Sequence, residues 1–180
     1  MPRPNRSREK VLDAAAALAA ERGVTATTVD DIAQRAGVAK GSVYYSFPSK
    51  DAVFEAVLAD AVERTGTRLG EALAAAPAGS ALRAIVTSFL QGVEERPTAA
   101  KVVAGELFRT DRPWQQSLAA YRSALFALVA DAMEADGAPR PSTLRASAVV
   151  GAMVMVAFER TVFEPEASIA DAVEAVLAGV

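Results

Sequence analysis

Apolar residues recur along this chain at three- and four-residue intervals almost from end to end. Val11, Leu12, Ala15, Leu18 and Ala19 share one face of a first helix, predicted over about 7–22 and stopped by Gly23. Thr28, three residues before Asp31, predicts the N-cap of a short helix over about 29–35 that ends at Gly37. A third helix follows over about 39–45. Pro48 closes it, because the residue before a proline resists helical geometry. Ser49 caps a long helix over about 50–75, bounded by Pro77 and Gly79. Further helices are predicted over about 81–95 (capped by Ser80), 98–108, 114–135, 143–163 (capped by Ser142) and 169–178 (capped by Ser168). No run combines alternating β-branched residues with hairpin turns. The expected fold class is all-α, with about nine helices.

Composition narrows the chemistry. The chain has 180 residues, 52% hydrophobic and 23% charged. That excludes a disordered chain and suffices for a buried core. Histidine and cysteine are both absent. Disulfides, Cys/His metal sites, Ser-His-Asp and Cys-His triads and histidine acid–base chemistry are therefore excluded. No catalytic residue, metal or cofactor is expected, and the chain does not read as an enzyme. The longest weakly polar stretch, Ala146 to Phe158, is too short to cross a bilayer as a helix. The first apolar run is already amphipathic and carries Asp13 and Glu21, unlike a secretory signal. A soluble cytoplasmic protein without a membrane partner is the expectation.

The net charge of −3 hides an asymmetry: residues 1–50 carry +3 and residues 51–180 carry −6. A basic end on an acidic body would engage a polyanion through that end alone, although an excess of three charges over fifty residues is also within chance. The amino-terminal arginines Arg3, Arg6 and Arg8, beside Pro2 and Pro4, either track a groove or phosphates of DNA or form a solvated tail.

The segment from Thr28 to Lys50 holds the most information. Two short helices are joined by a tight turn at Gly37, with Ala33 small where the helices must cross. Ile32, Ala36, Val38 and Val43 form the core between them. That is a helix-turn-helix, whose second helix enters a DNA major groove. This second helix carries Lys40, Gly41, Ser42, Tyr44 and Tyr45. Burying so many hydroxyls together is costly, whereas phosphate oxygens accept their hydrogen bonds and thymine methyls suit the rings. Gly41 weakens the helix and would gain by letting a backbone approach. Lys50 and the start of the fourth helix form a second phosphate site. On these residues alone, an ordinary helical hairpin with surface tyrosines stays open.

Residues 7–55 resemble the amino-terminal domain of the TetR family of transcriptional regulators. The resemblance is carried by Ile32-Ala33-Gln34-Arg35-Ala36-Gly37-Val38, by Lys40-Gly41-Ser42-Val43-Tyr44 and by Phe47-Pro48-Ser49-Lys50-Asp51. It implies a homodimer that binds an inverted-repeat operator in double-stranded DNA. It also implies a helical second domain that takes a small-molecule effector and a repressor that the effector releases. On that reading residues 1–50 bind DNA and residues 51–180 bind ligand and dimerise. Thr28, Ala39, Lys40, Gly41, Ser42, Tyr44, Tyr45 and Lys50 are the candidate DNA-contacting residues. Two positions depart from the family pattern. Ala39 stands where a capping serine is common, and Ser46 where an aromatic is common; both bear on operator preference.

The eighth helix is apolar nearly all round, so one side must face something beyond its own domain, unless it is the centre of a monomeric core. In this fold class it would pair with its two-fold mate. The candidate dimer residues are Ala148, Gly151, Ala152, Met155, Phe158 and Val162, with Val173 and Leu177 from the ninth helix. The effector pocket is less visible. Phe89, Glu106, Phe108, Trp114, Tyr121 and Met153 are candidates, although each taken singly reads more simply as a core or surface residue. A helical small-molecule-binding bundle without regulated DNA binding is the alternative function. A constitutive architectural protein fits less well, because such proteins are basic overall and this chain is acidic.

Overall fold

A computed structural model describes residues 4–106, 109 and 111–179; among the earlier candidates, Arg3 and Phe108 lie outside them. Among the described residues the chain forms nine helices and no strand. They are α1 (Pro4–Ala26), α2 (Val29–Ala36), α3 (Lys40–Ser46), α4 (Lys50–Ala75) and α5 (Ala81–Glu95), then α6 (Pro97–Glu106), α7 (Gln115–Ala135), α8 (Thr143–Val162) and α9 (Ile169–Leu177). The all-α expectation is correct. No helix among the described residues is long and apolar enough to cross a membrane.

The helix ends show why these residues fold where they do. At Thr28 a full capping box forms: its hydroxyl accepts from the Asp31 amide at 3.2 Å, and the Asp31 carboxylate accepts from the Thr28 amide at 3.0 Å. Gly37 adopts the left-handed geometry (φ 65, ψ 37) that closes α2, and the amides of Gly37 and Val38 return to Gln34 and Ala33. Ser49, Ser142 and Ser168 each cap the helix they precede. Ser80 does not. Its backbone (φ −135, ψ 12) is outside the extended geometry that aims a capping hydroxyl at the helix, and the Asp136 carboxylate takes its place. Asp136 accepts from the Ala81 and Leu82 amides at 2.7 and 2.9 Å.

The start of α1 also differs from the prediction. The helix begins at Pro4, a residue whose fixed φ suits a first helical position, so Arg6 and Arg8 are helical residues rather than parts of a free tail. The helical turn after Gly23 continues to Ala26, with Gly23 itself at φ 82.

Packing divides the chain into two compact units, Met1–Val62 with Thr98–Leu118, and Glu63–Pro97 with Ala119–Val180. In the first, α1, α2 and α3 pack on one another. Their core is closed by Val53, Phe54 and Leu58 of α4, by Val102 of α6 and by Trp114. In the second, α5 packs on α8 and α9, and α8 on α9. Its fully buried side chains include Leu69, Ile85, Val129, Met153 and Val176.

Candidate nucleic-acid interface

α2 and α3 present the candidate site, and an apolar wedge holds them. Ile32, Ala33 and Ala36 on α2 and Val43 on α3 are buried, with Val38 packed against them. Val43 is the one buried residue of α3, so this helix leaves nearly all of its surface to solvent. Lys40, Gly41, Ser42, Tyr44 and Tyr45 are all exposed, Tyr45 to 92% and Tyr44 to 47%. Such exposure is unusual for two aromatic rings on one short helix. A methyl group placed on Gly41 would meet no atom within 4 Å. The fold itself therefore has no need of a glycine there. Thr28 and Ala39, at the starts of α2 and α3, are exposed as well, and Ala39 supplies no side-chain cap.

Polar contacts set the charged groups around this face. The Lys40 ammonium pairs with Asp30 at 2.8 Å, and that hydrogen bond raises its pKa above the usual lysine value. The pair is exposed, so solvent screens it and phosphate oxygens can replace the carboxylate. Asp31 is drawn below the ordinary carboxylate range, first by the Thr28 hydroxyl and then by the Thr28 amide, with Arg22 adding to the effect at 2.5 Å. Lys50 is half-buried, and its ammonium donates to the Val24 and Thr25 carbonyls at 3.3 Å each. A lysine has three donors, so one is left for a phosphate. Sequence reasoning missed this tether and the Asp30 pairing. It also missed the Arg8 guanidinium, 5.3 Å from the centroid of the Phe47 ring. All three link segments that turn geometry brings together, and no local spacing marks them.

The remaining candidates are spread over the two units. In the first, Glu106 is 5% exposed and accepts from Arg112 Nε at 3.1 Å, while Trp114 is buried against Phe54 with ring centroids 6.5 Å apart. In the second, Phe89 and Met153 are buried. Tyr121 packs against the same core; burial raises its pKa, opposed by a hydrogen bond with Thr65. On α8, Ala148, Gly151, Met155, Phe158 and Val162 are exposed and Ala152 is half-buried. Val173 is 3% exposed because α9 spends it on packing with α5 and α8 inside its own unit, and Leu177 is half-buried.

A capped short helix, a left-handed glycine turn and a second helix exposed on nearly every side define a helix-turn-helix protein. Residues 11–57 match the family model described as bacterial regulatory proteins, tetR family. The HTH-type transcriptional repressor KstR2 of Rhodococcus jostii is 34% identical over 101 residues, covering 56% of this chain and 50% of the relative. KstR2 of Mycolicibacterium smegmatis is 47% identical over 57 residues, 32% of this chain and 28% of that one. The chain thus spans half or less of these relatives' length. A TetR-like transcriptional regulator from Rhodococcus sp. RHA1 superposes with a TM-score of 0.73 at 27% identity, covering 100% of both chains. The fatty acid degradation regulator FadR from Bacillus halodurans shares the fold, with a TM-score of 0.76 at 21% identity over 94% of this chain and 92% of that one. Over residues 11–57 the chain is thus similar to the TetR family of regulators, and its fold as a whole is similar to that of the solved TetR-like regulator.

Proposed function

We propose that this protein is a dimeric transcriptional repressor that inserts α3 into the major groove of an inverted-repeat operator and leaves it when a small-molecule effector binds. The observation that carries the reading is the face of α3: two exposed tyrosines, a serine and a lysine beside a glycine that the chain's own packing does not require. Ser42, Tyr44 and Tyr45 supply hydroxyls to phosphates and rings to thymine methyls, and Lys40 exchanges Asp30 for a phosphate or a base edge. Lys50 contributes its remaining donor to the backbone. Thr28 and Ala39 hold the starts of α2 and α3 close to the duplex. Residues 1–50 form the DNA-binding part and residues 51–180 the effector and dimer part.

Two copies must set their α3 helices roughly 34–36 Å apart to enter successive major grooves. α8 supplies the seam. Leu144, Ala148, Gly151, Met155, Phe158 and Val162 follow the alternating four- and three-residue spacing of a helix–helix contact, and all are exposed. An apolar effector would part the core around Phe89, Tyr121 and Met153. α4 runs from the first unit into the second and would carry the change. A ligand with different affinity for the two conformers then lowers DNA affinity by that difference.

The test is fluorescence anisotropy with a duplex from the region upstream of the protein's own gene, against a random duplex of equal length. A preference of about 10³-fold for the upstream duplex is expected. Equal binding to both, or none to either at low salt, overturns the proposal.

A further inference from the structure

The turn that precedes α2 is gripped from two sides. Lys50, at the start of α4, holds the Val24 and Thr25 carbonyls. On its other flank Arg112, in the connection after α6, donates through Nη2 to the Thr25 hydroxyl at 2.8 Å and through Nε to Glu106 at 3.1 Å. Glu106 and Arg112 are both largely withdrawn from solvent, with side chains 7% and 16% exposed, and the Arg112 guanidinium lies 5.6 Å from the Trp114 ring centroid. One planar cation thus joins the end of α6 to the short segment between Gly23 and the α2 capping box. A lysine in its place would keep the charge but lack the planar fork, whose separate nitrogens reach Glu106 and the Thr25 hydroxyl together. A groove of about 310 Å³, lined by Arg22, Thr25, Lys101, Glu106, Arg109 and Arg112, lies alongside and leaves the guanidinium room to swing away.

We propose that Arg112 is a positioning residue for DNA recognition: bridged to Glu106 and Thr25 it sets where α2 begins and so how α3 meets the groove, and released it frees the turn. The inference rests on the DNA-binding reading above and adds to it a named connection between α6 and the recognition helices.

Three variants of the full chain test it by thermal melting, by anisotropy with the upstream and random duplexes, and by hydrogen exchange of the Val24–Thr28 amides. Arg112→Lys keeps the charge pair with Glu106 but loses the bridge. It should melt close to the wild type, bind the upstream duplex about tenfold more weakly and leave the random duplex unaffected. The double variant Glu106→Leu/Arg112→Met replaces the buried pair with apolar side chains of similar size, which often preserves stability. It should show the same loss of preference. Thr25→Val removes only the hydroxyl and should weaken the upstream duplex by a few-fold. In all three the turn amides should exchange faster. If Arg112→Lys restores both melting and the preference between duplexes, the residue is merely structural and the proposal fails. Unchanged turn exchange in the three variants also overturns it. Should the wild type bind neither duplex, the DNA-binding reading falls, and the exchange data alone decide whether Arg112 positions the turn.

Discussion

The faces of α3 and α8 resemble each other in one respect and differ in every other. Each carries an exposed glycine, Gly41 or Gly151, at which an added methyl would touch nothing. Neither glycine is required by the chain's own packing. Around Gly41 stand hydroxyls and a cation; around Gly151 stand Met155, Phe158 and Leu144. On the proposed function, the same loss of a side chain would open two surfaces to partners of opposite chemistry: a polyanion on α3, a second apolar helix on α8. Supporting structure differs too. Val43 alone anchors α3 in an apolar core, with polar contacts at the neighbouring α2 cap and the Lys50 tether, whereas α8 presses Ala146, Val149, Val150, Met153 and Ala157 into its core.

The largest expected effect tests the apolar face. Met155→Arg would place an unpaired charge in the α8 seam and should weaken self-association by about 3 kcal/mol, over a hundredfold. Because Met155 is 59% exposed, the fold of each chain should be little altered. Sedimentation equilibrium and melting read the two effects separately; an unchanged dimer would mean that the seam lies elsewhere. The polar face is tested next by Lys50→Gln. It should weaken binding to every duplex and flatten the salt dependence by about one unit. It should also lower the melting temperature, since the tether to Val24 and Thr25 is lost. A changed affinity with unchanged melting would confine Lys50 to the DNA.

Gly41→Ala sharpens the contrast, because its two effects should have opposite signs. The helix should gain about 0.5–1 kcal/mol, as Ala in place of a helical Gly does, while DNA binding weakens. If affinity rises with stability, the glycine is not there for close approach. An effect of similar size, and one that depends on pH, is expected at the cap. Thr28→Ala should cost about 1 kcal/mol near neutral pH in a denaturant titration. Asp31 is depressed in the folded state, so its contribution exists above the unfolded value of about 3.9 and disappears as pH falls through the lower folded value. The difference between wild type and variant should therefore shrink below about pH 4, and a difference independent of pH would show that the Thr28–Asp31 bond does not set it.

Helix boundaries were legible because Gly, Pro, Ser and Thr act locally: α5 spans Ala81–Glu95 and α4 Lys50–Ala75, as the punctuation predicts. The face of α3 was legible for a related reason, since tyrosines and a serine on a short helix have few places to go. The cap of α5 was not. Ser80 carries the right side chain at the right position, but its backbone angles depend on the whole chain, and the acceptor comes from Asp136 instead. The division of apolar residues between core and surface was equally hidden. Val173 and Met155 look alike in sequence, yet one is buried in its own unit and the other is exposed. Trp114 and Tyr121, grouped by their rings alone, belong to different cores.

The Asp136 carboxylate ties the first amides of α5 to the last turn of α7 across 55 residues of chain. A helix start is normally free to fray by itself, but here it cannot loosen without surrendering a charged acceptor at the far end of another helix. The opening of one terminus and the opening of the other thus become a single event, so this body has fewer independent ways to breathe than its helix count suggests.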